Sequence, residues 1–290
     1  MEKIQGGDVN LRRRRNSLSI AIPSSMVAEF SDLRDKTAAI AQVGRAAAIY
    51  RVDEIVIIPD KPDESLLMKY ILGYMETPQY LRKHVFKKRP ELRYAGTLPP
   101  LRTLHHPTED KVGELKVGEV REGVIIEVTD DGLMVDIGVE VPLMVKGKGP
   151  SKGSRMTVRV TGKEPKLLGL SVRRSQLDDY WGYTLRASRV RLGELALSPE
   201  WDLTISTSKI GTDITSCRDA LQERWLNSGR TFIAFGSYKE GIHKIVENEG
   251  RRAEECFQYI VNTIPNQGTQ TIRTEEAIHA TLAILNTFKD

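Results

Sequence analysis

Apolar and polar positions alternate along Ser17–Pro23 (SLSIAIP), which ends in proline, so this segment reads as a strand. The rhythm then changes. Over Ser24–Tyr50 apolar residues fall at Val27, Phe30, Leu33, Ala38, Ile40, Ala41 and Val43, and Ala46–Ile49 are small or apolar, a helical spacing. Glu54–Pro59 (EIVIIP) is nearly continuous in its hydrophobicity, as a strand buried on both faces is. The three form a strand–helix–strand unit of the α/β kind. Ser65–Val85, rich in Leu and Met, predicts a further helix.

The texture shifts near Gly96. Thr97–Pro107 holds three prolines and reads as a linker. Short strands follow one another at Glu119–Val128, Leu133–Val139, Pro142–Val145, Arg155–Val160 and Leu167–Val172, and Thr129–Asp130–Asp131–Gly132 carries the Asp-Gly signature of a hairpin. Five such strands with no helix between them predict a small OB-like β-barrel. After Asp178 the α/β alternation resumes. Trp201–Ser208, Thr231–Gly236 and Gln258–Ile264 read as strands, and Asp213–Asn227 and Glu240–Asn248 as helices. Thr274 is placed to N-cap a last helix with an apolar stripe at Ile278, Leu282 and Leu285. The expected architecture is one discontinuous α/β domain, 1–95 and 179–290, with an inserted barrel at 96–178.

Hydrophobic residues make up 40% and charged residues 28% of the 290, a composition that buries a core. The two cysteines, Cys217 and Cys256, and five scattered histidines offer neither a disulfide framework nor metal-ligand spacing, so no metal is expected. Apolar runs are far shorter than a membrane span, and Met1–Asn10 has no signal-peptide core, so the expectation is a cytoplasmic protein that does not enter a membrane. The net charge of +4 says little, but its distribution says more. Arg82–Arg93 carries six basic residues against Glu91, and Val141–Leu177 carries nine against Glu164. Basic faces bind phosphates through counterion release, so a nucleic-acid partner is expected there. The candidates are Lys87, Lys88 and Arg89 in the first stretch and Lys146, Lys148, Lys152, Arg155 and Arg159 in the second. A solvated face that binds nothing is the competing reading.

No Walker A sequence, no GxGxxG between strand and helix and no GxSxG elbow is present. Two loops stand out at the ends of apolar strands, Gly236–Gly241 (GSYKEG) and Ile264–Thr274 (IPNQGTQTIRT). Open α/β sheets bind ligands at the carboxyl ends of their strands, and Gly236 and Gly268 permit close backbone approach. These features point to a ligand site without naming the ligand; ordinary surface loops would look similar.

Phe232–Gly241 (FIAFGSYKEG) resembles the second motif of the SPOUT methyltransferases, and Val261–Asn286 (VNTIPNQGTQTIRTEEAIHATLAILN) resembles their third. With its interrupting barrel, nearly the whole chain is similar to the archaeal and eukaryotic branch of RNA methyltransferases in that superfamily. The resemblance implies a deep trefoil knot that holds S-adenosylmethionine. Phe235, Gly236, Ser237 and Gly241 would line the cofactor, Asn262, Thr263 and Ile264 would end a strand beside the adenosine, and Gly268, Thr271, Ile272 and Thr274 would close over it. An ungapped count back from Tyr50–Ile55 puts Arg45 at the catalytic arginine of the first motif. Ala39 and Arg51 stand where that motif has Asn and Gly, so a base nitrogen and a ribose 2′-hydroxyl both stay open as acceptors. Glu240 is a candidate base, weighed against a solvent-facing acid at a helix start. The implied function is S-adenosylmethionine-dependent methylation of rRNA or tRNA by a homodimer. A non-catalytic factor that binds cofactor and RNA, for example in ribosome assembly, is the alternative, and a protein methyltransferase is a third.

Overall fold

Alternating β-branched strands and amphipathic helices leave a chain like this one solution, a sheet covered on both faces. A computed structural model describes residues 12–288. In chain order its elements are β1 (Ser17–Pro23), α1 (Leu33–Ile49), β2 (Glu54–Ile58), α2 (Ser65–Glu76), α3 (Arg82–Val85), β3 (Val120–Thr129), β4 (Gly132–Asp136), β5 (Leu143–Lys146), β6 (Arg155–Gly162) and β7 (Leu168–Ser171). They continue with β8 (Thr184–Ala187), α4 (Leu192–Ala196), β9 (Leu203–Asp213), α5 (Ile214–Leu226), β10 (Arg230–Ala234), α6 (Ile242–Glu247), α7 (Ala253–Cys256), β11 (Tyr259–Asn262) and α8 (Thr274–Leu285). The chain divides into two units. Within residues 12–288, one comprises Arg14–Glu76, Lys88–Leu101 and 182–288; the other comprises Thr77–Lys87 and Arg102–Trp181, with Arg12 and Arg13.

In the first unit six strands form one parallel sheet in the order β11-β9-β10-β1-β2-β8. The pleat sends Leu18, Ile20, Ile22, Ile55, Ile57, Ile205 and Ile233 to one face, under α1, α2, α5 and α8. Ala21, Val56, Ile58, Phe232 and Ala234 go to the other, under α4, α6 and α7. The stripe Ile278, Leu282 and Leu285 is fully buried inside this unit, so it is core.

Several boundaries differ from expectation. The first helix starts at Leu33, not Ser24, because the Asp32 side chain accepts the Arg34 N–H and caps it there. The second ends at Glu76, because Thr77 precedes Pro78 and a residue before proline disfavours the helical region. The edge strand β8 escaped the pattern: Thr184 and Arg186 break the apolar run that marks its neighbours. Thr274 is the first residue of α8 and not its cap; the Arg273 N–H is held by Glu276 Oε2 at 2.9 Å.

The second unit is a closed barrel, β3-β4-β5-β7-β6, with one parallel pairing, β5 to β7, and a core of Leu115, Ile125, Leu133, Val135, Leu143, Val145, Val158 and Val160. Thr77–Lys87 is tied into this unit. The Tyr80 hydroxyl donates to the Glu122 carbonyl at 2.8 Å, and a side chain on Gly138 would strike the Tyr80 ring.

Candidate functional site

The strands of the parallel sheet all end on one side, and there three segments enclose a cleft of about 380 Å³. The first wall comes from β9. Its pairing with β11 jumps from Ser206↔Ile260 to Thr212↔Val261, so residues 207–211 arch away from the ladder. Gly211 closes the arch: a Cβ there would lie 2.8 Å from the Ile260 carbonyl oxygen. Thr207, Ser208, Lys209 and Ile210 of the arch face the cleft.

The second wall is the loop after β10. Gly236 packs against the return of its own loop, where a Cβ would meet the Glu240 carbonyl at 3.0 Å, and the Ser237 N–H closes the turn on that same carbonyl at 2.9 Å. The third wall is the end of β11 and the loop to α8. Asn266 takes a left-handed conformation in it, with φ of 58°. The loop is held by its own polar groups. Asn262 Nδ2 donates to the Lys209 carbonyl at 3.0 Å while Asn262 Oδ1 accepts from the Ile264 N–H, and Gln267 Nε2 donates to the Thr269 carbonyl at 2.8 Å. The Thr274 hydroxyl donates to the Gly236 carbonyl at 2.9 Å and so joins the second and third walls.

Nine of the eleven residues expected to hold a cofactor line this cleft: Gly236, Ser237, Gly241, Asn262, Thr263, Ile264, Thr271, Ile272 and Thr274. Phe235 lies beneath it in the core, 1% exposed. Gly268 sits on the loop, where an added Cβ would meet no atom within 4 Å, and does not line the cleft. The Thr263 hydroxyl turns to Thr281 in α8, at 2.8 Å. Sequence reasoning missed the arch, with Lys209 and Ser208, and also Tyr238, Lys239, His243, Lys244, Gln267 and Gln270. The signal for the arch was a Ser/Thr-rich strand end followed by Gly211.

Arg45 lies outside the cleft lining. Its guanidinium donates to the carbonyls of Leu101 and Pro100, at 3.0 and 3.3 Å. Burial lowers the pKa of His279 in mid-α8, and the charge of Arg45 adds to that. Glu240, half-buried, does not line the cleft and accepts from Asn248 Nδ2 at 3.0 Å.

The expected RNA-binding residues are scattered in role. Lys146, Lys148 and Lys152 are exposed on the barrel, and Arg159 is exposed with one N–H on the Gly118 carbonyl. Arg155 is only partly exposed and serves the barrel: it pairs with buried Glu122 at 2.9 Å and donates to the Thr77 hydroxyl. Lys87, Lys88 and Arg89 are exposed, Arg89 lies over the Tyr70 ring, and the boundary between the two units falls between Lys87 and Lys88.

Residues 17–285 match the family model described as "Putative RNA methyltransferase". The chain belongs to this family of RNA methyltransferases. It is 33% identical over 92% of its length to an uncharacterized protein of Halobacterium salinarum and 34% identical, over the same share, to one of Haloarcula marismortui; in each case 98% of the relative is covered. It is 30% identical to the 28S rRNA (uridine-N(3))-methyltransferase of Homo sapiens, over 94% of this chain and 79% of the human protein. Among the described residues no helix is long and apolar enough to cross a membrane, and no group of three or more His, Cys, Asp or Glu side chains is placed to hold a metal.

Proposed function

We propose that this chain transfers a methyl group from S-adenosylmethionine, held in the cleft at the carboxyl end of the parallel sheet, to a base nitrogen of ribosomal RNA, with uridine N3 as the leading acceptor. The observation that carries the reading is that both motif-like loops and the arch of β9 converge on one cleft. Its size is within the range of small-molecule sites. Its lining also suits that cofactor. Ile210, Ile264, Ile272 and Ala277 offer apolar surface for an adenine, backbone groups of the two loops offer edge hydrogen bonds, and Lys209, Lys239 and Lys244 offer partners for a carboxylate. The cofactor supplies an activated methyl group, and the protein's part is to align acceptor and donor and exclude water. The choice of a uridine nitrogen over a ribose hydroxyl rests on the name of the human relative. In this reading the loops after β10 and β11 belong to a trefoil knot, the exposed barrel lysines grip RNA phosphates, and a second copy of the chain brings Arg45 to the acceptor.

Calorimetry with S-adenosylmethionine and S-adenosylhomocysteine, followed by methyl transfer into unmodified large-subunit rRNA and nucleoside mass spectrometry, tests this. Binding of both ligands and appearance of 3-methyluridine are expected. No heat up to millimolar cofactor, or binding with no methylated nucleoside, overturns the reading and favours the non-catalytic alternative. A particle of monomer mass by light scattering removes the second copy from it.

A further inference from the structure

At the cleft, three side chains from three elements meet in sequence. Ser208 of the β9 arch lies with its hydroxyl 3.4 Å from His243 Nδ1, and His243 Nε2 lies 3.5 Å from Glu254 Oε1 of α7. Ser208 and His243 both line the cleft, and the Ser208 oxygen also accepts the Ile210 N–H, which directs its proton toward the imidazole. We propose that His243 is the proton acceptor of the reaction, with Glu254 positioning its ring. This rests on the function proposed above.

The chemistry requires such a group. A uracil nitrogen that carries a proton has no free pair in the ring plane to attack with, so the proton must leave as the new bond forms. Glu254 beside Nε2 favours the tautomer with its proton on Nε2 and leaves Nδ1 as the acceptor. The acceptor nitrogen takes the place of the Ser208 hydroxyl at Nδ1. Its N–H bond breaks, the proton goes to Nδ1, and the nitrogen keeps the pair. With that pair it bonds the methyl carbon as the carbon–sulfur bond breaks, and sulfur takes those electrons. The imidazolium is balanced by Glu254 and returns its proton to water. The charged groups near the ring are Glu254 from α7, itself paired with Arg252 at 3.6 Å, Lys244 and Glu247 paired on its own helix, Lys209 from β9 and Lys239 from the preceding loop.

The test uses the full chain. His243→Ala is expected to lower methyl transfer into unmodified large-subunit rRNA by about 10²-fold or more while S-adenosylhomocysteine affinity by calorimetry changes less than threefold. The wild-type rate should fall as pH drops and imidazole protonates; His243→Ala should lack that limb, and added imidazole should restore part of its rate. Ring NMR of the protein without ligand should show the Nε2–H tautomer, lost in Glu254→Gln. A His243→Ala enzyme with a wild-type rate or pH profile overturns the proposal. So does one that loses ligand affinity along with activity, since His243 would then be holding the cleft together. Ligand binding by the wild type is read separately, so failure of the functional reading and failure of this one are distinguishable.

Discussion

The cleft and the base of the barrel use polar side chains in opposite ways. In the cleft, Asn262, Gln267, Ser237 and Thr274 bond to backbone, and their identity is expressed as loop shape. In the barrel, the Glu122 carboxylate is 2% exposed and surrounded by donors, two charged and two neutral: Arg155 at 2.9 Å, Arg174 at 3.0 Å, the Thr157 hydroxyl at 2.6 Å and the Trp181 N–H at 2.8 Å. The first region leaves backbone groups and an opening for a ligand; the second closes every acceptor of one buried anion. Hydrogen bonds between neutral groups contribute about 1 kcal/mol each, whereas a buried charge that loses a partner costs several. The barrel should therefore respond to single changes in stability, and the cleft in affinity.

The largest expected effect is at Glu122. Glu122→Gln leaves Arg155 and Arg174 facing a neutral amide and should lower stability by about 3 kcal/mol, read as a lower denaturant midpoint, with ligand affinity in the cleft unchanged. Burial pushes the Glu122 pKa up, but Arg174 and Arg155 outweigh it and hold the group at about 2, against an ordinary 4.5. Its contribution is thus complete above pH about 4.5 and lost as pH falls toward 2. Acid titration should show a wild-type transition that Glu122→Gln lacks. An unchanged midpoint would mean that the charges hold nothing.

Gly211→Ala comes next. The new Cβ would press on the Ile260 and Val261 backbone, which cannot rotate away, at a cost of about 1–3 kcal/mol. If the arch is a wall of the ligand site, S-adenosylhomocysteine affinity should fall at least tenfold. Wild-type affinity would separate the arch from the site. The smallest effect belongs to Thr274→Val, which removes one hydrogen bond to Gly236 and should weaken binding by less than tenfold. Gly268→Ala is its control, because the protein leaves that position open. Lost affinity there would show that the ligand itself lies against the loop.

Much of this was legible beforehand. Near-continuous apolar runs at β1, β2 and β10 carry the mark of doubly covered strands, and the Asp130–Gly132 turn fixes the first barrel hairpin. The two glycine-containing loops were visible because they follow such strands. What stayed hidden was non-local. β8 has no pattern of its own and is a strand only because β2 offers it an edge. The arch of 207–211 exists because β11 pairs on either side of it, and Arg155, one basic residue among many in sequence, is set apart by its proximity to Glu122.

The sequence by itself determined the periodicities, the breaks at Asp32 and Pro78, the segregation of basic charge and the loops at strand ends, since each depends on neighbours within a few residues. The tertiary structure alone decided which polar side chains meet. Ser208, His243 and Glu254 lie on three elements that touch only after the sheet has ordered β9 beside β10 and set α6 and α7 on one face. Local propensity carries no information about a contact closed over dozens of residues; that contact is paid in loop entropy and returned by the packed sheet.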